Sequence, residues 1–156
     1  MKKIIKKTLF IGLIVFLLIQ LYQPARNLGF EQDLTANFTR AYNVPKNVEH
    51  ILRTSCYDCH SNNTNYRWYS YVQPGRSFME SHIKDGKKDL NFYEFGNYSK
   101  RKQESKLEAI VKQIKSDEIP LSSYTFIHKN AILTPTQKQD VINWINKTKD
   151  SLSSKN

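Results

Sequence analysis

The stretch "TSCYDCHSN", Thr54–Asn62, holds both cysteines of the 156-residue chain and sets His60 directly after the second. Two thiols three positions apart fall on one turn of backbone, and an imidazole follows at once. Three groups that bind soft or borderline partners therefore converge on one spot. What occupies that spot depends on the compartment and on the helices around it.

The N-terminus sets the compartment. Lys2, Lys3, Lys6 and Lys7 open the chain, and "TLFIGLIVFLLIQLY", Thr8 to Tyr22, carries no charge. As a helix, Ile4 to Tyr22 spans roughly 28 Å, close to a hydrocarbon core. Lys6 and Lys7 can snorkel to the headgroups. Residues 1–22 are thus expected to form a single-pass membrane anchor with the lysines inside, which sends the remainder to the outer side of a bacterial inner membrane, the periplasm. A cleaved signal sequence is the competing reading, although "QLYQPARN" offers no clear small-residue cleavage site. A buried core helix is the third.

Charge and composition narrow the function classes. The net charge is +10, and the four N-terminal lysines supply part of it, leaving +6 for everything after residue 22. A solvated basic surface near an anionic membrane accounts for that balance. There is no nucleic-acid motif and no arginine-rich stripe, so nucleic acid is not an expected partner. No catalytic acid–base pair stands out, so an enzyme is not expected. The chain is long enough for one domain with a modest core and shows no internal repeat.

Periodicity points to short helices. Residues 23–43 read as a tether. After Val44, the apolar residues Val48, Ile51 and Leu52 share one helical face, with Pro45 suited to the first turn. A second helix starts near Pro74, with Gly86 as its stop, and places Phe78, Met79, His82 and Ile83 close together. Leu107, Ile110, Val111 and Ile114 mark a third. Thr134, Pro135 and Gln137 spell an N-cap, a first-turn proline and a capping box ahead of Val141, Ile142, Trp144 and Ile145. No alternating strand appears. The expected fold class is all-α, with a domain at 44–149 and residues 150–156 as a disordered tail. The soluble part is poor in Leu and Val and rich in Tyr and Asn, so a bound group of large area is expected to complete its core.

Three chemistries fit the two thiols. A zinc site needs four ligands, and no second C-x-x-C or H-x3-5-H pair accompanies Cys56 and Cys59. A redox dithiol belongs in a βαβ setting that this pattern lacks, and a plain disulfide remains open as a haem-free interaction domain. The third is covalent haem attachment through C-x-x-C-H. Haem carries two vinyl groups on neighbouring pyrroles. Thiols at 56 and 59 can add across both, and His60 then lies under the iron as proximal ligand. One motif implies one haem c per chain. Attachment needs reduced thiols outside the cytosol, in keeping with the N-terminal segment.

The stretch "CYDCHSNNTNYRWYSYVQP", followed by His82 and "LNF", then "EIPLSSYTFIHKNAILT" and a C-terminal Trp, resembles the small bacterial haem-binding domain of membrane-anchored proteins from Bacteroidetes-type bacteria. The resemblance covers roughly Val44 to Lys147. It implies a cytochrome-c-like bundle of short helices around a covalent haem. Two positions depart from the family pattern. Arg67 precedes Trp68 where the family has proline. Ile119 stands before Pro120 where the family tends to have methionine, and isoleucine cannot bind iron.

The sixth iron position is therefore open to several readings. His128, with Tyr124 one turn before it, and His82 are candidate ligands; Met79 is a further one, and a water-filled or vacant position is another. His50 is expected at the surface. Trp68, Tyr69, Tyr71 and Phe92 are candidate haem-packing aromatics. The leading expectation is one-electron transfer to a redox partner that the sequence does not identify. The alternative is a haem-based gas or redox sensor with an open sixth position.

Overall fold

The computed structural model describes residues 1–29 and 37–153. Eight α-helices run in chain order: α1 Lys2–Ile19, α2 Phe38–Ala41, α3 Lys46–Ser55, α4 Tyr57–His60, α5 Gly75–Asp89, α6 Lys100–Lys115, α7 Ser122–Ile127 and α8 Pro135–Ser153. Short 3-10 turns at Trp68–Tyr71, Phe95–Asn97 and Lys129–Ala131 link them. The described residues form no strand; one isolated antiparallel bridge joins Leu28 to Asn63. The all-α expectation holds.

The helix faces read from periodicity are the faces that bury. α3 turns Val48, Ile51 and Leu52 inward, and α6 turns Leu107, Ile110 and Ile114. Thr134 and Gln137 close a reciprocal capping box: the Gln137 N–H donates to Thr134 Oγ1 at 3.2 Å, and the Thr134 N–H to Gln137 Oε1 at 2.9 Å. α8 then packs Val141, Ile142, Trp144 and Ile145 against α3 and α6. Past α6, Asp117 takes a left-handed backbone (φ 60°), turning the chain into the Ile119–Pro120 segment.

Three sequence expectations are corrected. The first is the membrane-spanning helix. α1 ends at Ile19 and includes all four lysines, so its charge-free part, Thr8–Ile19, covers about 18 Å, against roughly 30 Å of hydrocarbon. Among the described residues, no helix is long and apolar enough to cross a membrane. The second is the tether. Phe38 has no exposed surface and sits among Phe92, Phe95 and Trp144, with ring centroids at 5.0, 4.8 and 5.4 Å. Residues 30–36 of the expected tether lie outside the described residues.

The third concerns the ends of elements. Gly86 stands within α5, which runs on to Asp89. The expected tail is helical through Ser153, and 154–156 lie outside the described residues. An aromatic cluster around Phe38 closes a core on the α3–α6–α8 side.

Candidate functional site

Cys59 and His60 sit on α4, a single helical turn, and Cys56 caps its N-terminus. The N–H groups of Cys59 and His60 both donate to the Cys56 carbonyl, at 3.2 and 3.0 Å. What holds this turn is the pair of residues between the cysteines, which the motif leaves unspecified. Tyr57 is buried and stacks flat on Phe92, centroids 4.9 Å apart and planes 8° apart. The Asp58 backbone carbonyl accepts the Thr64 hydroxyl at 2.6 Å, and its carboxylate accepts the Tyr124 hydroxyl at 2.8 Å and the Asn65 N–H at 3.1 Å. The sequence gives no signal for either role, because their partners are remote in the chain.

Backbone bonds tie the motif to the core. The Phe92 N–H donates to the His60 carbonyl and the Phe38 N–H to the Phe92 carbonyl, each at 2.8 Å. α5 crosses behind the turn at Gly86. A Cβ there would meet the Cys59 carbonyl oxygen at 2.8 Å and the Cys59 Cβ at 3.2 Å, so only glycine permits this approach. The same crossing orients the imidazole. His60 Nδ1 lies 2.9 Å from the Gly86 carbonyl and 3.0 Å from the Leu90 carbonyl. With Nδ1–H donating there, Nε2 is left as the free lone pair that a metal ion requires. Burial pushes the His60 pKa below its ordinary value, which favours that neutral form.

Burial, reinforced by Cys59, pushes the Cys56 thiol up to about 12, and burial followed by Asp58 pushes Cys59 up to about 11. Both are free thiols. Groups held that high are not thiolates at neutral pH, so they are poor attacking sulfurs for disulfide exchange. Among the described residues, no three His, Cys, Asp or Glu side chains come together as a metal cluster.

Three cavities surround the turn. The smallest, about 60 Å³, brings Cys56, Cys59 and His60 against Ile119, Pro120, Leu121 and Tyr124. One of about 230 Å³ on the Cys59 side is lined by Tyr69, Phe78, Met79, His82 and Ile127 among others. One of about 150 Å³ on the Cys56 side includes His60, Phe92, Lys106, Ile110 and Ile119. Ile119, Leu121 and Tyr124 each line two of the three. These side chains are the partitions of what is otherwise one mostly apolar slot beside the thiols and His60.

The remaining candidates are distributed unevenly. His82 lines the Cys59-side cavity, with its Nδ1 2.8 Å from the Phe78 carbonyl and its ring tilted 47° against Phe78, centroids 4.3 Å apart. Met79 lines the same cavity and is buried. His128 is buried elsewhere. Its Nε2 lies 2.6 Å from the Tyr69 hydroxyl, and Tyr124 stacks flat on its ring at 4.1 Å. Burial lowers its pKa. It lines none of the three cavities around the thiols. His50 is at the surface. Of the four candidate aromatics, Tyr69 and Phe92 line the site, whereas Trp68 and Tyr71 are 78% and 48% exposed and line none of these cavities.

The sequence profile described as "Haem-binding domain" matches residues 14–147, most of the chain. The chain belongs to the haem-binding domain family. No curated protein and no solved structure matches it. The match runs from within α1 into α8. It takes in the α4 turn, the Gly86 crossing and the Ile119–Tyr124 wall. The parts of this haem-binding domain described above therefore all belong to the matched stretch.

Proposed function

We propose that this haem-binding domain holds one haem covalently, through Cys56 and Cys59, with His60 as the proximal iron ligand, and that it works outside the cytosol as a one-electron carrier. The observation that carries this reading is the α4 turn itself. It brings both free cysteines and His60 to one cavity, with the imidazole Nδ1 committed to backbone carbonyls.

Bound haem supplies a one-electron iron centre. The chain's own groups do the rest. Each Sγ–H adds across one vinyl C=C, with sulfur going to one carbon and hydrogen to the other, and nothing is oxidised or reduced. The Gly86 and Leu90 carbonyls fix the His60 ring. Leu90, Phe92, Ile110, Ile119 and Leu121 exclude water from the slot.

One observation favours a second reading, a small-ligand sensor. Ile119 faces the same two cavities as His60 and offers no donor atom. A sixth position on that side would be free for a diatomic molecule, unless His82 reaches it from the neighbouring cavity.

The test is the pyridine haemochrome spectrum of chain matured in a periplasm, with CO added to a parallel ferrous sample. A c-type band without a CO shift supports the carrier. A c-type band with a prompt, complete shift supports the sensor. No covalent haem sinks both and returns Cys56 and Cys59 to disulfide chemistry.

A further inference from the structure

α1 buries none of its residues. Its apolar side chains from Ile4 to Ile19 stand in solvent, with Leu9 and Phe10 69% and 63% exposed. A free surface of that size marks a docking element. α1 is also not loosely attached. The Gln73 N–H donates to Gln20 Oε1 at 2.9 Å, and Gln73 Nε2 donates to the Tyr22 carbonyl at 2.7 Å. Arg76 donates to the Pro24 carbonyl, and the Asn27 N–H donates to the Tyr66 hydroxyl at 2.6 Å. Gln73 and Arg76 are buried. The C-terminal end of α1 is thus clamped to the corner where the Trp68–Tyr71 turn meets α5.

That corner carries its own exposed apolar group. Trp68 and Tyr71 lie three positions apart in a 3-10 turn, so their side chains eclipse on one side of it. Val72 beside them is 42% exposed. The Arg26 guanidinium lies 4.3 Å from the centre of the Tyr71 ring. Residues 1–29 contain no acid but contain Lys2, Lys3, Lys6, Lys7 and Arg26; residues 66–79 contain no acid but contain Arg67 and Arg76. Glu80, the first carboxylate after them, accepts the Tyr66 hydroxyl at 2.7 Å.

We infer that α1 and the Trp68–Val72 corner form one lipid-seating face, which binds the surface of an anionic bilayer and fixes the domain's orientation on it. The cations complement anionic headgroups. Indole and phenol rings favour the headgroup level, where an apolar ring and a polar tip are both satisfied. The inference goes beyond the haem reading and does not depend on it. It has one consequence for the site: Tyr69, Gly75 and Phe78, from the same corner, line the Cys59-side cavity, so that side of the site is held next to the lipid.

The experiment is hydrogen exchange and vesicle flotation of the full chain, with vesicles of mixed phosphatidylglycerol and phosphatidylcholine set against phosphatidylcholine alone. The expected result is flotation with the anionic vesicles and added protection at both Thr8–Gln20 and Trp68–Gln73. The double variant Trp68→Ser, Tyr71→Ser, altered only at exposed positions, should lose affinity by about tenfold with its own fold intact by circular dichroism. Protection of α1 alone would show a swinging domain and overturn the seated face. Equal flotation with both vesicle types would remove the role of the cations. Self-association without vesicles, with α1 protected, would assign the helix to a second copy of the chain instead.

Discussion

Ile119 is the residue on which the two readings of function divide. It lines two cavities with His60 and Cys56, so a side chain at 119 reaches the slot from the wall opposite the α4 turn. Ile119→Met places a thioether sulfur there without changing the apolar character. The expected outcome is a sulfur-to-iron absorption band, a raised midpoint potential and loss of any CO shift in the ferrous state, since axial Met raises the potential relative to a vacant or imidazole position. An unchanged spectrum and potential would show that the 119 side chain does not reach the iron. Gly86 allows a second single-residue test. The Cβ of Gly86→Ala meets backbone of Cys59 at 2.8 Å, so α5 must shift away from α4. The expected cost is about 1–3 kcal/mol of unfolding free energy by denaturant titration. Haem yield should fall as well, because the shift also disturbs the carbonyls that hold His60 Nδ1. The sequence made the thiols and His60 legible through spacing alone. It could not show Gly86 in this part, since a glycine near a helix end reads as a stop, and only the crossing partner reveals the close contact.

Like α1, α7 buries no residue. Leu121, Phe126 and Ile127 around it are 42%, 75% and 51% exposed, while α3, α6 and α8 each turn a full apolar face inward. A short helix with so few buried contacts opens at low free energy. Leu121 and Tyr124 from this segment, with Ile119 just before it, are also the partitions of the slot. Hydrogen exchange of residues 119–127 should accordingly be fast in the haem-free chain and at least tenfold slower after loading, while α6 and α8 change little. Equal exchange in both states would mean that the wall does not move to admit the group. The long helices were legible because their faces repeat at 3.6 residues and their caps are local: Thr134, Pro135 and Gln137 specify the start of α8 unaided. α7 was not, because it buries no residue and so follows no core-facing period.

Among the described residues, two apolar regions adjoin and share Phe92. One is the slot beside the α4 turn. The other is the aromatic cluster of Phe38, Phe92, Phe95 and Trp144, closed by α3, α6 and α8. The expectation of a tether over residues 23–43 left Phe38 out of the core. That residue lies in a stretch without periodicity, on a helix of four residues, where sequence pattern carries no signal. Its contacts are nonetheless central: its ring meets three other aromatics edge-on, and its N–H donates to the Phe92 carbonyl, whose own N–H donates to His60. The core and the site are therefore joined through one backbone relay. Phe38→Ala should cost about 3–5 kcal/mol, read from the denaturation midpoint of the haem-free chain. A chain beginning at Val44 should fail to give a cooperative transition, whereas one beginning at Asn37 should retain it. If the cluster is an independent core, Cys56→Ala/Cys59→Ala protein will still unfold cooperatively, with helical content near that of the loaded form. If that double variant instead melts without a transition, the bound group rather than Phe38 organises the domain, and the Phe38→Ala loss would then appear only in loaded protein.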